Sequence, residues 1–492
     1  MIQKQVPFLS RKNTRYLYRL ASALCAAVYT LVLPFTQRVV SANQGPDEAE
    51  NVQLVGHHDL QGREALQITA RADDANGDWV YVGHLDNFWD GTERFNPITN
   101  QMEWNGTSIV DVSDPANPKL VWHIPNTESA NSRSTSVVYD YGFRSNPPGR
   151  DYLIRNSQGE GFAKFQIFDI TTRDTDPSQI HLVAEITGTP EGSCGPGCGG
   201  PLTAVHKGWW SPDTGLYYSA ANEPGFRNGH HMVVFDLTDP THPVLAGRAW
   251  LPGQKSTEPE TANGNNWHHP IPDEENHRVY GAYLGGGDVV SFDVEDLSDP
   301  KLLWHTDTEP PGRGTHTVSP ILYDEVPNFG PDALPRMYAL VSDEATGPDI
   351  ACANSVRTKV YMLDITHAEE SGFAYPVDTW QVPNGDFCEK GGRFGPHQFA
   401  ETVNGRLNRF PDKIAYVAYF NAGLRVLDIS NPYNMTEVGY YIPSPNKNSH
   451  PIEPGQPSVI QINDVAVDRR GLLYASDRTG AGLFVLRYVK PD

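Results

Sequence analysis

Basic residues are scarce in this chain: 38 Lys/Arg stand against 60 Asp/Glu in 492 residues, a formal charge of −22. The first 42 residues carry six Lys/Arg and no Asp/Glu, so their removal would leave about −28. Such an excess repels phosphate backbones and anionic lipid, which argues against nucleic-acid and membrane-surface partners. Long amphipathic helical patterns are missing, and 44 Gly and 40 Pro separate short strand-like runs instead. That favours an all-β chain. Common catalytic signatures are missing too. There is no GxSxG elbow, no HExxH, no Walker loop and no dinucleotide fingerprint. Paired carboxylates suited to glycoside hydrolysis cannot be singled out among so many acids.

One long apolar run is present, Leu20–Phe35, and it is short for a membrane span. Lys4, Arg11, Lys12, Arg15 and Arg19 precede it, and Val40-Ser41-Ala42 supplies small residues after it. This is the pattern of a cleavable export signal, 1–42, with 43–492 as the mature chain. A periplasmic or extracellular protein with no stable membrane insertion is expected. Ser10-Arg11-Lys12 hints at twin-arginine export with Lys in place of the second Arg. Cys25 has no lipobox around it, which argues against lipid attachment.

Four cysteines remain beyond the signal: Cys194, Cys198, Cys352 and Cys388. An even count in an exported chain points to two disulfides, Cys194–Cys198 and Cys352–Cys388. A CxxxC metal site is the alternative.

The chain repeats one phrase. SIVDVSDPANPKLVWHIP begins at Ser108, VVFDLTDPTHPVLAGRAWLP at Val233, VSFDVEDLSDPKLLWHTD at Val290 and RVLDISNPYNMTEVGYYIP at Arg425. Degenerate copies are QIFDIT from Gln166 and YMLDIT from Tyr361. The strand-ending aspartates, Asp111, Asp169, Asp236, Asp293, Asp364 and Asp428, are spaced by about sixty residues, which suits a four-stranded propeller blade with long loops. A seventh copy, GAGLFVLRY ending at Tyr488, runs into the C-terminus without a fourth strand. NVQLVGHHDL, from Asn51, resembles a fourth strand without a blade. A seven-bladed β-propeller, closed by that N-terminal strand completing the last blade, accounts for both and leaves no open sheet edge. The D-[IVL]-[ST]-x-P-x-x-P phrase resembles the LVIVD-repeat family. That resemblance implies a β-propeller, often exported, and says little about chemistry.

In a propeller the first strand of each blade lines the central channel. Working back from the repeats, first strands begin near TAVHKGWW (His206), NNWHHPIP (His268), RGTHTVSP (His316), FGPHQFAE (His397) and IQINDVAV (Asn463), with a serine near Ser136 in blade two. Four successive blades therefore offer a histidine at one height. Crowded imidazoles repel when protonated, and a divalent ion makes such a cluster favourable. An all-nitrogen donor set suits copper, iron, zinc or nickel rather than calcium or magnesium. Ligands drawn from one side of the ring leave coordination positions open, as in a catalytic site.

By placement alone, this ring is similar to the four-His iron of carotenoid-cleaving oxygenases and the copper-linked His of the selenium-binding protein/methanethiol oxidase group. The resemblance implies copper or iron held by His206, His268, His316 and His397, and oxidoreductase chemistry. Glu223 and Glu344, at the ends of second strands, are candidates to orient the imidazoles. His230, His231 and His269 are substitutes under a shifted register, and His84 is expected to lie too far round the ring. The aromatic insertion from Phe88 would cover the channel or offer a binding surface. A small-molecule substrate is expected. Two rival readings are a non-catalytic propeller that binds protein or glycan, and a metal-dependent lyase or hydrolase.

Overall fold

A computed structural model describes residues 46–85, 93–141, 149–227, 229–261, 266–308, 314–327, 335–344, 346, 358–383, 385–452 and 455–491. The expected export signal and Cys352 lie outside the described residues, as do residues 86–92 of the aromatic insertion. Among the described residues no helix is long and apolar enough to cross a membrane.

Residues within Ala42–Asp492 form a seven-bladed β-propeller of antiparallel four-stranded sheets. The inner strands of blades one to five are Ala65–Asp73, Thr135–Tyr141, Ala204–Trp210, Trp267–Asp273 and Thr315–Tyr323, and that of blade seven is Ile462–Val467. Six blades have a third strand ending in the aspartate of the repeat, and the carboxylate explains why. Each accepts the backbone N–H two residues on, at 2.8 to 3.0 Å, so the chain leaves the strand in an Asx turn. A second turn of the same kind follows at Asp114, Asp239, Asp296 and Asn431. The recurring phrase is thus two consecutive side-chain-closed turns that feed the chain into the fourth strand.

Closure is as expected. Val52–His58 pairs with Gly482–Tyr488, so the N-terminal strand supplies the outer strand of blade seven. Seven apolar clusters fill the seven spaces between neighbouring blades, and the one between blades seven and one joins Leu472, Tyr474 and Val485 to Ile68, Val80 and Val110. Burial of apolar side chains between sheets gives each blade two partners, and only a closed ring satisfies all seven.

Blade six departs from the pattern. Its inner segment, 397–400, is not a regular strand, although it pairs with Ile414–Ala418. The His397 N–H donates to Ala418 O at 2.9 Å, and the Ala418 N–H donates to Gln398 O at 2.9 Å. Pro396 cannot donate to a ladder, and Gly395 takes a φ of 157° just before it. At the outer edge of this blade Glu48–Glu50 pairs with Thr436–Ile442 as an added strand.

Candidate metal centre

The inner strands do more than line the channel, because most of them bulge at the same height. In blade three His206 and Lys207 face a single residue, Ala220, of the neighbouring strand. In blade four His268 and His269 face Ala282. Pairing also shifts at His316 in blade five, at Asn463 in blade seven and at Leu66-Gln67 in blade one. A bulge breaks strict alternation and re-aims consecutive side chains. In blades three and four it turns two consecutive residues toward the channel, giving two sets of contacts.

The first set is the imidazole row. His206 Nε2 lies 2.8 Å from His268 Nε2, with ring centroids 4.4 Å apart. The His268 and His316 centroids are 4.1 Å apart, and those of His316 and His397 are 3.9 Å apart. All four expected histidines are therefore brought together in unbroken succession. His397 Nδ1–H donates to the Asn463 carbonyl at 2.5 Å, which leaves its Nε2 with the lone pair. Burial first, then neighbouring imidazoles, Lys207 and arginines, holds all four well below the usual histidine range. They are neutral at pH 7.

Glu344 joins this row from the end of strand Arg336–Asp343. One of its carboxylate oxygens, a His268 nitrogen and a His316 nitrogen all lie within 4.8 Å of one another. Its Oε1 accepts from Arg393 at 2.7 Å and lies 3.8 Å from His397 Nε2. Glu344 therefore stands among the candidate ligands rather than behind them.

Glu223 does not join. Its carboxylate is buried against Arg248, Thr189 and His231 within blade three, where these contacts hold it down at about 2 against the effect of burial. Both glutamates end second strands, but Arg248 on the adjacent outer strand captures Glu223 and turns it from the axis. His231 shares that pocket. His230 stacks on His206 with centroids 5.7 Å apart, and its Nδ1–H donates to Asn266 Oδ1 at 2.7 Å.

The second set comes from the other residue of each bulge. Lys207 Nζ donates to Gln398 Oε1 and lies 3.3 Å from His316 Nε2. Gln398 Nε2 donates to Glu401 Oε1 at 2.5 Å, and His269 Nε2 lies 3.3 Å from that oxygen. Asp464 accepts from the Ile68 N–H at 2.8 Å. Burial pulls Lys207 down, raises Glu401 to about 7 and raises Asp464 well above the usual carboxylate range. A lysine and two carboxylates thus act on one another electrostatically beside the imidazole row. Of this set, sequence reasoning singled out His269 alone, as a substitute under a shifted register, although the signal is plain afterwards: each member sits one residue past a channel histidine or Asn463, or, for Glu401, four past His397.

A cavity of about 260 Å³ opens over the row, lined by His206, His230, His268 and His397 with Arg133, Arg393, Arg478, Glu344 and Leu66 among others. Cys194 and Cys198 are bonded, with Cα atoms 5.7 Å apart, as expected of an oxidising compartment. Cys388 is also disulfide-bonded, while its expected partner Cys352 lies outside the described residues. From the aromatic insertion, the described hairpin Arg94–Asn96 and Gln101–Glu103 does not line the cavity.

The chain carries LVIVD repeats: the LVIVD repeat profile matches residues 102–124 and 412–442, the repeat phrases of blades one and six. No curated protein matches the chain. Solved structures similar to it include a protein from Lactobacillus plantarum (14% identity, 87% of this chain and 96% of that one, TM-score 0.43). A periplasmic gluconolactonase from Pseudomonas aeruginosa (14%, 81% and 98%, TM-score 0.43) is similar as well. So is a hypothetical selenium-binding protein from Sulfolobus tokodaii (11%, 87% and 91%, TM-score 0.45). These likenesses carry no statement about substrate or chemistry.

Proposed function

We propose that this propeller is an exported oxidoreductase whose channel holds copper or iron through His206, His268, His316 and His397, with Glu344 beside them. One observation carries the reading: four neutral imidazoles from four successive blades, three buried and His206 half-buried, touch ring to ring. Two nitrogens bound to one ion at about 2.0 Å and a right angle stand roughly 2.8 Å apart, the separation of His206 Nε2 and His268 Nε2. The donor chemistry fits as well, because neutral imidazole nitrogen is the form that binds copper and iron. Bound there, such an ion supplies a redox couple and open positions for oxygen or a small substrate.

The protein's own groups have defined tasks around it. The Asn463 carbonyl fixes the His397 tautomer and ring orientation. Arg393 donates to the Glu344 carboxylate and orients it next to the row. Lys207 can take or return a proton next to His316, and Glu401, raised by burial to about 7, can do so next to His269.

Glu344 also favours a second reading. A mixed nitrogen and oxygen donor set suits a redox-inert ion that polarises a carbonyl or carboxylate, as in a lyase or hydrolase.

Elemental analysis of protein purified from the periplasm tests both. Near-stoichiometric copper or iron, lost in His316→Ala, supports the oxidoreductase. Zinc or manganese supports the Lewis-acid reading. A metal-free protein that takes up none of these ions overturns both and leaves a binding propeller.

A further inference from the structure

The walls of the cavity carry a charge that metal ligation does not use. Arg133, Arg393 and Arg478 all line it, and Glu344 is the one carboxylate among its described lining residues. Lys207 also reaches it but is matched by Glu401 and Asp464. The guanidiniums are close enough to disfavour one another. Burial lowers the proton affinity of Arg478 most, then Arg393 lowers it further, Glu344 opposes, and Arg133 adds to the loss. Arg133 likewise lowers His206 and His230, and Arg393 and Arg478 lower His397, so the three cations border the imidazole row itself.

Three guanidiniums around one carboxylate, inside a chain of formal charge −22, leave a local surplus of positive charge. Like charges gathered in one half-buried cavity are unfavourable unless an opposite charge joins them. The planar guanidinium fork matches carboxylate and phosphate oxygens, which it binds in pairs. A cavity of about 260 Å³ falls below the range of roughly 300–1,000 Å³ that holds drug-sized ligands, so the partner is small.

We propose that Arg133, Arg393 and Arg478 bind a small oxyanion, a carboxylate or phosphate group of the substrate, and hold it against the histidine row. The inference rests on the proposed metal site only for what the bound anion is placed beside. Anion binding itself is measurable without metal.

The experiment is isothermal titration of the purified protein with succinate and with inorganic phosphate, in chelator-treated and metal-loaded samples. One saturable, salt-sensitive site is expected. Affinity should fall at least about tenfold in Arg133→Gln and in Arg478→Gln, and stay unchanged in Arg406→Gln, whose partner is Asp213 on the exposed surface. Tighter succinate identifies a carboxylate substrate, and tighter phosphate a phosphorylated one. Arg133 is only half-buried, so its variant carries the test if Arg478→Gln does not fold. Absence of binding by the wild type at millimolar anion, or equal binding by Arg133→Gln, overturns the proposal. Anion binding by a protein that takes no metal sinks the oxidoreductase reading and leaves this one standing. Metal uptake without anion binding does the reverse.

Discussion

Two groups of histidines in this propeller lie inside it, all buried but the half-buried His206, and differ in what surrounds them. Between blade one and the chain around it, His84 sits with its Nε2 at Ser108 Oγ, 2.8 Å away, and its Nδ1 at the Glu64 carbonyl, 3.3 Å away. His123 completes that pocket through Ser108 Oγ at 3.2 Å and the Trp104 carbonyl at 3.0 Å. Every ring nitrogen there has a backbone carbonyl or hydroxyl partner. In the channel the partners are other imidazoles: His206 meets His268 nitrogen to nitrogen, and His268 Nδ1 has no hydrogen bond among the described residues. Burial makes both groups neutral. Only the channel group brings the rings of four successive blades together, with His206 Nε2 2.8 Å from His268 Nε2, and that separates a candidate ligand set from a structural pocket.

The largest effect that would sharpen this contrast is on metal content. In His316→Ala the affinity for copper or iron should fall at least about 100-fold, the upper end of what losing even a supporting partner costs. His84→Ala should leave metal content at the wild-type level. Equal loss in both variants, measured by elemental analysis after dialysis, would show that the row is no more a ligand set than the blade-one pocket.

Glu223 offers the next largest effect and the reverse signature. Its removal leaves Arg248 buried without its carboxylate, so Glu223→Ala should destabilise the fold by about 3–5 kcal/mol in urea denaturation. Metal uptake by the folded variant should not change. His84→Ala belongs to the same class at smaller scale. It strands Ser108 and the Glu64 carbonyl, worth about 1–3 kcal/mol. His316→Ala should cost the metal-free protein less than this, since it relieves a crowded row.

These contrasts mark what could be read from residue order. The architecture was legible because each repeat ends in an aspartate whose carboxylate closes a turn, and because Val52–His58 had no blade while Gly482–Tyr488 had no fourth strand. The histidines were legible because equivalent positions in a ring share a height. Lys207 and Gln398 were not, since strict alternation sends the residue after a channel residue outward. The bulge at Val205/Gly208 overrules it for Lys207, and the irregular inner segment of blade six does so for Gln398. Arg133, Arg393 and Arg478 stand outside the regular strands, where no period applies. Glu223 and Glu344 occupy matching places, yet their side chains follow different arginines. Arg248 draws one away and Arg393 holds the other in. Partner choice of this kind is set by packing and has no counterpart in spacing.

The smallest expected effect is a near absence of pH dependence, and it bears on the contrast most directly. Burial, then Arg63, pulls His84 to about 3, whereas an unfolded histidine titrates near 6.5. Between those values the unfolded chain binds the extra proton, so stability falls as pH drops below 6.5. The loss is roughly 1 kcal/mol per pH unit for each such group, and His84→Gln should flatten the slope by that amount. The channel histidines have the same sign, because they too are held below 6.5 in the fold. They are already deprotonated when metal arrives, so no proton need leave them. Metal affinity of the folded protein should therefore stay nearly level from pH 7 to about 5.5. An exposed site would lose roughly tenfold per pH unit for each ligand that must shed a proton. A steep loss below 6.5 would mean that the row protonates in the metal-free protein, and its imidazoles would then be solvated bases like any surface histidine.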